Sequence, residues 1–167
     1  MKYDKSYLRR NYILQRKKRY LTVKKFNFDL IFKLIKKNFH KKKTIISGYY
    51  PLYYEVNILN FLKNASEKKF RIVLPFIKSS NTMNFKTWLF KEPLYVSKFG
   101  TLEPKKSNSN KKIIPDLIMV PLVAFDAQLN RIGYGKGYYD RILQKIAKNK
   151  KKTISLGVAY SFQKCTK

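Results

Sequence analysis

Apolar positions along the chain recur either at a helical spacing or in short continuous runs, and the alternation marks out helices and strands. Residues Tyr3 to Tyr20 place Tyr7, Leu8, Tyr12, Ile13 and Leu14 roughly on one helical face. Residues Phe26 to Phe39 repeat that pattern with Leu30, Ile31, Leu34 and Ile35. Thr44 to Tyr50 is apolar and β-branched and predicts a strand that Pro51 stops. A helical run with Val56, Ile58, Leu59, Phe61 and Leu62 follows. Phe70 to Pro75 predicts a buried strand ending at proline, Thr82 to Trp88 an alternating strand, and Leu94 to Phe99 a further one. Asp116 to Pro121 is the clearest buried strand in the chain. Tyr138 to Ala147 puts Ile142, Leu143 and Ile146 on one helical face, and Thr153 to Tyr160 predicts a last strand. Strands alternating with helices imply an α/β domain with a mostly parallel sheet. No internal repeat or interdomain linker interrupts residues 1–167, so one domain is expected. Lys41 to Lys43 read as a solvated turn and Lys105 to Lys112 as a polar loop.

Composition narrows the class. At 167 residues and 44% hydrophobic, the chain can bury a sizeable core and is not disordered by composition. No apolar run approaches the roughly 18 residues that a membrane helix needs, and the basic N-terminus lacks the apolar stretch of a signal peptide. The single cysteine, Cys165, forms no internal disulfide and no cysteine-rich metal site. A cytoplasmic protein is the expectation. The net charge of +29 is the footprint of a nucleic-acid binder. Yet the lysines are spread along the chain and accompany abundant Asn, Ile, Tyr and Phe, as an AT-rich coding sequence would impose. Any nucleic-acid contact is then non-specific and salt-sensitive.

The chemistry concentrates between Arg131 and Asp140, R-I-G-Y-G-K-G-Y-Y-D, which holds three of the six glycines. Gly133, Gly135 and Gly137 let backbone N–H groups approach an anion, Lys136 adds a point charge, and a helix start directs its dipole to the same place. The spacing fits neither the dinucleotide fingerprint, since position 138 is Tyr138, nor a P-loop. The alternatives are an anion-binding loop and a tight glycine turn with an exposed lysine. Asp140, at the helix start, could hold Mg²⁺ against bound phosphates, pair with Arg141, or cap the helix. Lys5 and Arg9 are four apart and share a helical face, either as a polyphosphate clamp or as a solvated basic surface. Glu55 either favours a helix start through the dipole or, with Tyr50, faces a ligand crevice at a strand's C-terminal end. His40, the only histidine, reads as a surface residue at a helix end.

These segments together resemble the 5-formyltetrahydrofolate cyclo-ligase (5,10-methenyltetrahydrofolate synthetase) family. The run from Asp116–Pro121 through Ala124-Phe125-Asp126 to Arg131–Arg141 is similar to its signature. Its K-x-x-L-R is matched by Lys5 to Arg9, and its Y-x-P-x-x-x-E-type segment resembles Tyr49-Tyr50-Pro51 through Glu55. Val73-Leu74-Pro75, Met83-Asn84-Phe85 and Gly100 to Pro104 resemble three further family segments, in order. The resemblance runs from near residue 5 to near residue 163.

The resemblance implies a three-layer α/β domain of the phosphosugar-isomerase and CoA-transferase type. It implies ATP-dependent conversion of 5-formyltetrahydrofolate to 5,10-methenyltetrahydrofolate in one-carbon metabolism. ATP would be co-substrate, Mg²⁺ the metal, and the partner a reduced folate, polyglutamylated forms included, on a monomeric enzyme. Residue by residue, it implies that Lys5, Ser6, Tyr7, Leu8 and Arg9 contact ATP together with Arg131, Ile132, Gly133, Tyr134, Gly135, Lys136, Gly137, Tyr138 and Tyr139. Lys136 and Arg131 would serve the transferring phosphate, and Asp140 would hold Mg²⁺. Arg9, Tyr50, Glu55 and Tyr134 to Tyr138 (Tyr134, Gly135, Lys136, Gly137, Tyr138) would border the folate. Family members usually continue after the segment that begins at Ser161-Phe162-Gln163, with an acidic stretch and a terminal strand. The sequence therefore leads to the expectation of a truncated C-terminus, a missing last strand and an exposed sheet edge. Three readings follow: an active cyclo-ligase, a weakly active or inactive homologue that binds ATP or folate, and a basic nucleic-acid-binding protein.

Overall fold

The computed structural model describes residues 4–23, 26–39, 44–105, 112–148 and 152–165. His40, Lys41 to Lys43 and residues 106–111 of the expected polar loop lie outside the described residues.

The chain opens with α1 (Lys5–Arg19), started by Asp4, whose carboxylate accepts from the Ser6 N–H at 3.2 Å. That carboxylate satisfies a first-turn donor. α2 (Asp29–Asn38) leads to β1 (Ile45–Ser47). α3 begins at Leu59 and ends at Glu67. The sequence places this helix three residues earlier. Asn57 explains the difference, because its side-chain oxygen accepts from the Leu59 N–H at 3.0 Å and sets the first turn there.

β2 (Arg71–Ser79) pairs antiparallel with β3 (Thr82–Thr87) and parallel with β1. It runs through Pro75 rather than ending at it. β1 pairs only Arg71 to Val73, so Pro75 lies where β2 has a single neighbour, and there a strand tolerates a missing N–H. β4 (Leu94–Val96) and β5 (Leu102–Pro104) form a hairpin, and the buried Glu103 carboxylate accepts from the Ile77 N–H of β2 at 2.9 Å. This contact fastens the hairpin to the sheet.

β6 (Leu117–Pro121) pairs parallel with β1 and with β9 (Ile154–Val158). The sheet order is β3-β2-β1-β6-β9, parallel except for β3. Both faces are covered. Leu117 and Met119 of β6 join the cluster of Ile35, Phe61 and Leu62 from α2 and α3. Ile118 and Val120 join Ile146 of α4 (Tyr138–Ala147) on the opposite face. Strands buried on both faces read as continuous apolar runs, which is why β6 is so legible. Helix, sheet and helix make the expected three layers.

The connection after β6 holds two strands the sequence does not signal, β7 (Ala124–Phe125) and β8 (Arg131–Ile132). The Asp126 carboxylate closes their turn, accepting from the Gln128 and Asn130 N–H groups, each at 2.9 Å. After β9 the chain crosses back to this hairpin. The Cys165 N–H donates to the Phe125 carbonyl at 2.7 Å, and the Gln163 side chain donates to the carbonyls of Leu122 and Val123 at 3.0 and 2.8 Å. β3 and β9 are the edge strands of the sheet among the described residues. No described helix is long and apolar enough to cross a membrane.

Candidate active site

The strand order reverses between β1 and β6, since β2 lies on one side of β1 and β6 on the other. Open α/β sheets leave a crevice outside the carboxyl ends of such strands. Here it is a cavity of about 510 Å³. Lys5 and Arg9 reach it from α1, Tyr50 and Glu55 from the segment after β1, and all ten residues from Arg131 to Asp140 from the opposite wall. Ser6, Tyr7 and Leu8 do not line it. Ser6 hydrogen-bonds to Asp4, Tyr7 is exposed, and Leu8 is half-buried in the α1 packing face.

The glycine loop is held from behind by α1. Arg9 Nε donates to the Gly133 carbonyl at 2.8 Å. The Arg9 guanidinium lies so close to Gly135 that a Cβ there would sit 3.4 Å from its central carbon, on a backbone with φ +99°. Gly137 is the N-cap of α4 with φ +67°. The first-turn N–H groups of α4 thus face the loop, with the positive end of the helix dipole. Lys136 is exposed, its Nζ 5.7 Å from the centre of the Phe99 ring, with no hydrogen bond or ion pair among the described residues. It is a free cation at an anion-ready loop. Gly137→Ala combines the left-handed φ with a Cβ 2.7 Å from Arg141 Nη1. It is expected to destabilise the fold by about 1–2 kcal/mol, measured by denaturant unfolding.

Asp140 pairs with Arg131 across the loop, with its own side chain 72% exposed. Of the roles open to it from sequence, pairing with Arg141 is not the one observed. Arg141 donates instead to the Asn81 and Lys136 carbonyls, each at 2.9 Å, and its guanidinium lies over the Tyr138 ring. No three His, Cys, Asp or Glu side chains among the described residues gather as a metal cage.

Glu55, 5% exposed, also lines the cavity, beside the Tyr134 hydroxyl of the glycine loop. Its carboxylate accepts from the Leu52 N–H at 2.8 Å rather than capping α3, whose first residue lies four positions on. Burial pushes its pKa up to about 7, against the lowering effects of the Leu52 hydrogen bond, the Arg16 charge and the Tyr134 hydroxyl. Burial and the Glu55 charge also raise the hydroxyls of Tyr134 and Tyr139, and the Tyr139 hydroxyl has no hydrogen-bond partner among the described residues.

The residue that sequence reasoning misses is Arg16, 1% exposed. It donates to the Tyr53 carbonyl at 2.8 Å, to the Leu122 carbonyl at 3.3 Å, and to the Tyr134 hydroxyl. A signal was present. Arg9 and Arg16 lie two helical turns apart and share the inward face of α1 with Leu8, Tyr12 and Ile13. Tyr7 and Leu14, expected on that face, are exposed.

Comparison with known proteins agrees with this architecture. The model of the 5-formyltetrahydrofolate cyclo-ligase family matches residues 1–167. A 5-formyltetrahydrofolate cyclo-ligase of Haemophilus influenzae is 38% identical over 96 residues, covering 55% of this chain and 48% of the relative. One from Mycoplasma pneumoniae is 47% identical over 49 residues, 29% of this chain and 28% of the relative. The chain thus spans about half the length of the first curated relative and under a third of the second. Among solved structures, a 5,10-methenyltetrahydrofolate synthetase from Mycoplasma pneumoniae superposes with a TM-score of 0.68 at 26% identity, over 98% of this chain and 90% of the other. The synthetase of Aquifex aeolicus gives 0.67 at 28% identity, over 96% and 79%. With its whole length matched and its fold shared, the chain belongs to the 5-formyltetrahydrofolate cyclo-ligase family.

Proposed function

We propose that this chain converts 5-formyltetrahydrofolate and ATP to 5,10-methenyltetrahydrofolate, ADP and phosphate. The observation that carries the reading is that one cavity is lined both by cations at a glycine loop and by a buried carboxylate. Lys5, Arg9, Arg131 and Lys136 line it together with a glycine loop at a helix N-terminus. The buried carboxylate Glu55 lines it as well. The cations and the loop suit a polyphosphate, and the carboxylate suits a pterin ring, which offers N–H donors. Tyr50 lines the cavity between β1 and Glu55.

The chemistry asks for positioning and charge neutralisation rather than a protein nucleophile. The formyl oxygen forms a bond to the γ-phosphorus as the bond from that phosphorus to the ADP oxygen breaks. N10 then adds to the formyl carbon and loses its proton, and the carbon–oxygen bond breaks to release phosphate. Lys136 and the first-turn N–H groups of α4 stabilise the moving negative charge, and Arg9 and Lys5 hold the remaining phosphates. Glu55 orients the folate so that its formyl oxygen meets the γ-phosphate. Asp140, on exchanging its Arg131 partner, would hold Mg²⁺ at the phosphates, where the ion would supply further charge neutralisation. The +29 charge favours a polyglutamylated folate over the monoglutamate, an advantage that added salt should erode.

Oxygen-18 placed in the formyl group tests the route, because it must appear in the released phosphate; label that is lost to water or stays with the folate contradicts it. Asp140→Asn should raise the Mg²⁺ concentration needed for half-maximal turnover by at least the roughly tenfold that loss of an outer-sphere partner costs. Its fold should be unaffected, since an exposed pair contributes little. Mg²⁺ titration of the variant checks this.

A further inference from the structure

Tyr53 and Tyr54 are consecutive non-glycine residues in the left-handed region, with φ 45° and 64°. Such a backbone persists only where its surroundings hold it. Three hydrogen bonds hold it here. Glu55 accepts from the Leu52 N–H at 2.8 Å, the Glu55 N–H donates to the Leu52 carbonyl at 3.1 Å, and Arg16 donates to the Tyr53 carbonyl at 2.8 Å. The same guanidinium hydrogen-bonds to the Tyr134 hydroxyl in the glycine loop and to the Leu122 carbonyl in the β6–β7 connection. It also lies 5.5 Å from the centre of the Tyr134 ring, which the Tyr53 ring approaches at 6.4 Å. An apolar side chain would fill this space without desolvating a cation. The charge is therefore placed for what it holds.

We propose that Arg16 is a positioning residue that locks the folate-facing wall of the cavity to the phosphate-facing loop, fixing the Tyr53 carbonyl and the Tyr134 hydroxyl beside Glu55. The substrates named in this inference rest on the reading given under Proposed function. One guanidinium sets the register between the two walls, so both substrates feel its loss. Glu55 is faced by Arg16 from α1, Tyr49 from the segment after β1, Tyr134 from the glycine loop and Tyr139 from α4. Arg16 is the cation of this set, and its charge favours the ionised carboxylate.

Two variants of the full chain separate the charge from the fork. Arg16→Gln keeps donors and removes the charge, and Arg16→Lys keeps the charge and removes the planar fork. The chain has four glutamates, so carbon-13 glutamate labelling with Glu55→Gln for assignment follows the Glu55 carboxyl by NMR. Arg16→Gln should move the Glu55 titration upward, the direction in which loss of a nearby cation acts. Arg16→Lys should leave that titration in place and raise KM for the folate and for ATP together, each about tenfold. A folded glutamine variant with an unmoved Glu55 titration overturns the proposal, as does a lysine variant with both KM values unchanged. Should the glutamine variant not fold, the lysine variant decides. If the unaltered chain turns over no folate, the functional reading fails. The NMR titration, together with a fluorescence measurement of how Arg16→Lys changes nucleotide affinity, then tests the lock alone, and failure of both overturns it.

Discussion

Lys136→Ala is expected to lower turnover by roughly 10²–10³-fold, the scale of removing one preorganised donor aimed at developing charge. Its melting temperature should stay within about 1 °C of the unaltered chain, because exposed substitutions away from special features are nearly neutral. The asymmetry follows from the site. Lys136 is exposed and touches the Phe99 ring but pairs with no described residue, so its removal leaves no unsatisfied group. It lies between Gly135 and Gly137, both left-handed, in the loop that leads into α4. Under the proposed function, this charge acts when a phosphate arrives. Turnover assayed beside a thermal melt checks both halves. A variant that simply unfolds would make the loop a structural turn rather than an anion site.

Glu55→Gln should have the opposite pairing of effects, losing function while gaining stability. Glu55 titrates near 7 in the folded protein against the usual 4.5, because burial disfavours its charged form. The folded state thus binds this proton more tightly than the unfolded chain does. Stability from this group is fully present below about pH 4.5 and is lost as pH rises to about 7, with no further change above. The loss is on the order of 3 kcal/mol. At pH 8 the glutamine variant should be the more stable protein, and the difference should vanish near pH 4. Under the proposed function the effect on activity runs the other way, since an ionised carboxylate would be the better acceptor for pterin N–H groups. kcat/KM for the folate should rise with pH through about 7 in the unaltered chain and fall roughly 10–100-fold in the variant at pH 8. Denaturant unfolding at pH 4, 6 and 8, with folate kinetics over the same range, measures both.

Much of this was legible because the relevant residues obey simple periodicities. β6 matches its sequence range closely, since a strand covered on both faces carries an unbroken apolar run. α4 matches its range fully, since the glycines before it and Ile142, Leu143 and Ile146 within it agree. The two-residue strands β7 and β8 were not legible, as two residues carry no period. What fixes them is a turn closed by Asp126 and a return segment from Gln163 to Cys165, a contact between positions about 40 apart. β2 continues through Pro75 because β1 stops short of it, a fact of tertiary pairing. The candidate site was read where its residues are contiguous, from Arg131 to Asp140, and missed at Arg16. A buried cation breaks the hydrophobic pattern that sequence reasoning follows, and its acceptors are 37, 106 and 118 positions away.

The most direct test of the account is turnover by this chain itself. Purified protein with ATP, Mg²⁺ and 5-formyltetrahydrofolate should develop the ultraviolet absorbance of 5,10-methenyltetrahydrofolate, with one ADP formed for each folate converted and no signal when ATP is omitted. Folded protein that produces no methenyl absorbance under these conditions would contradict the account.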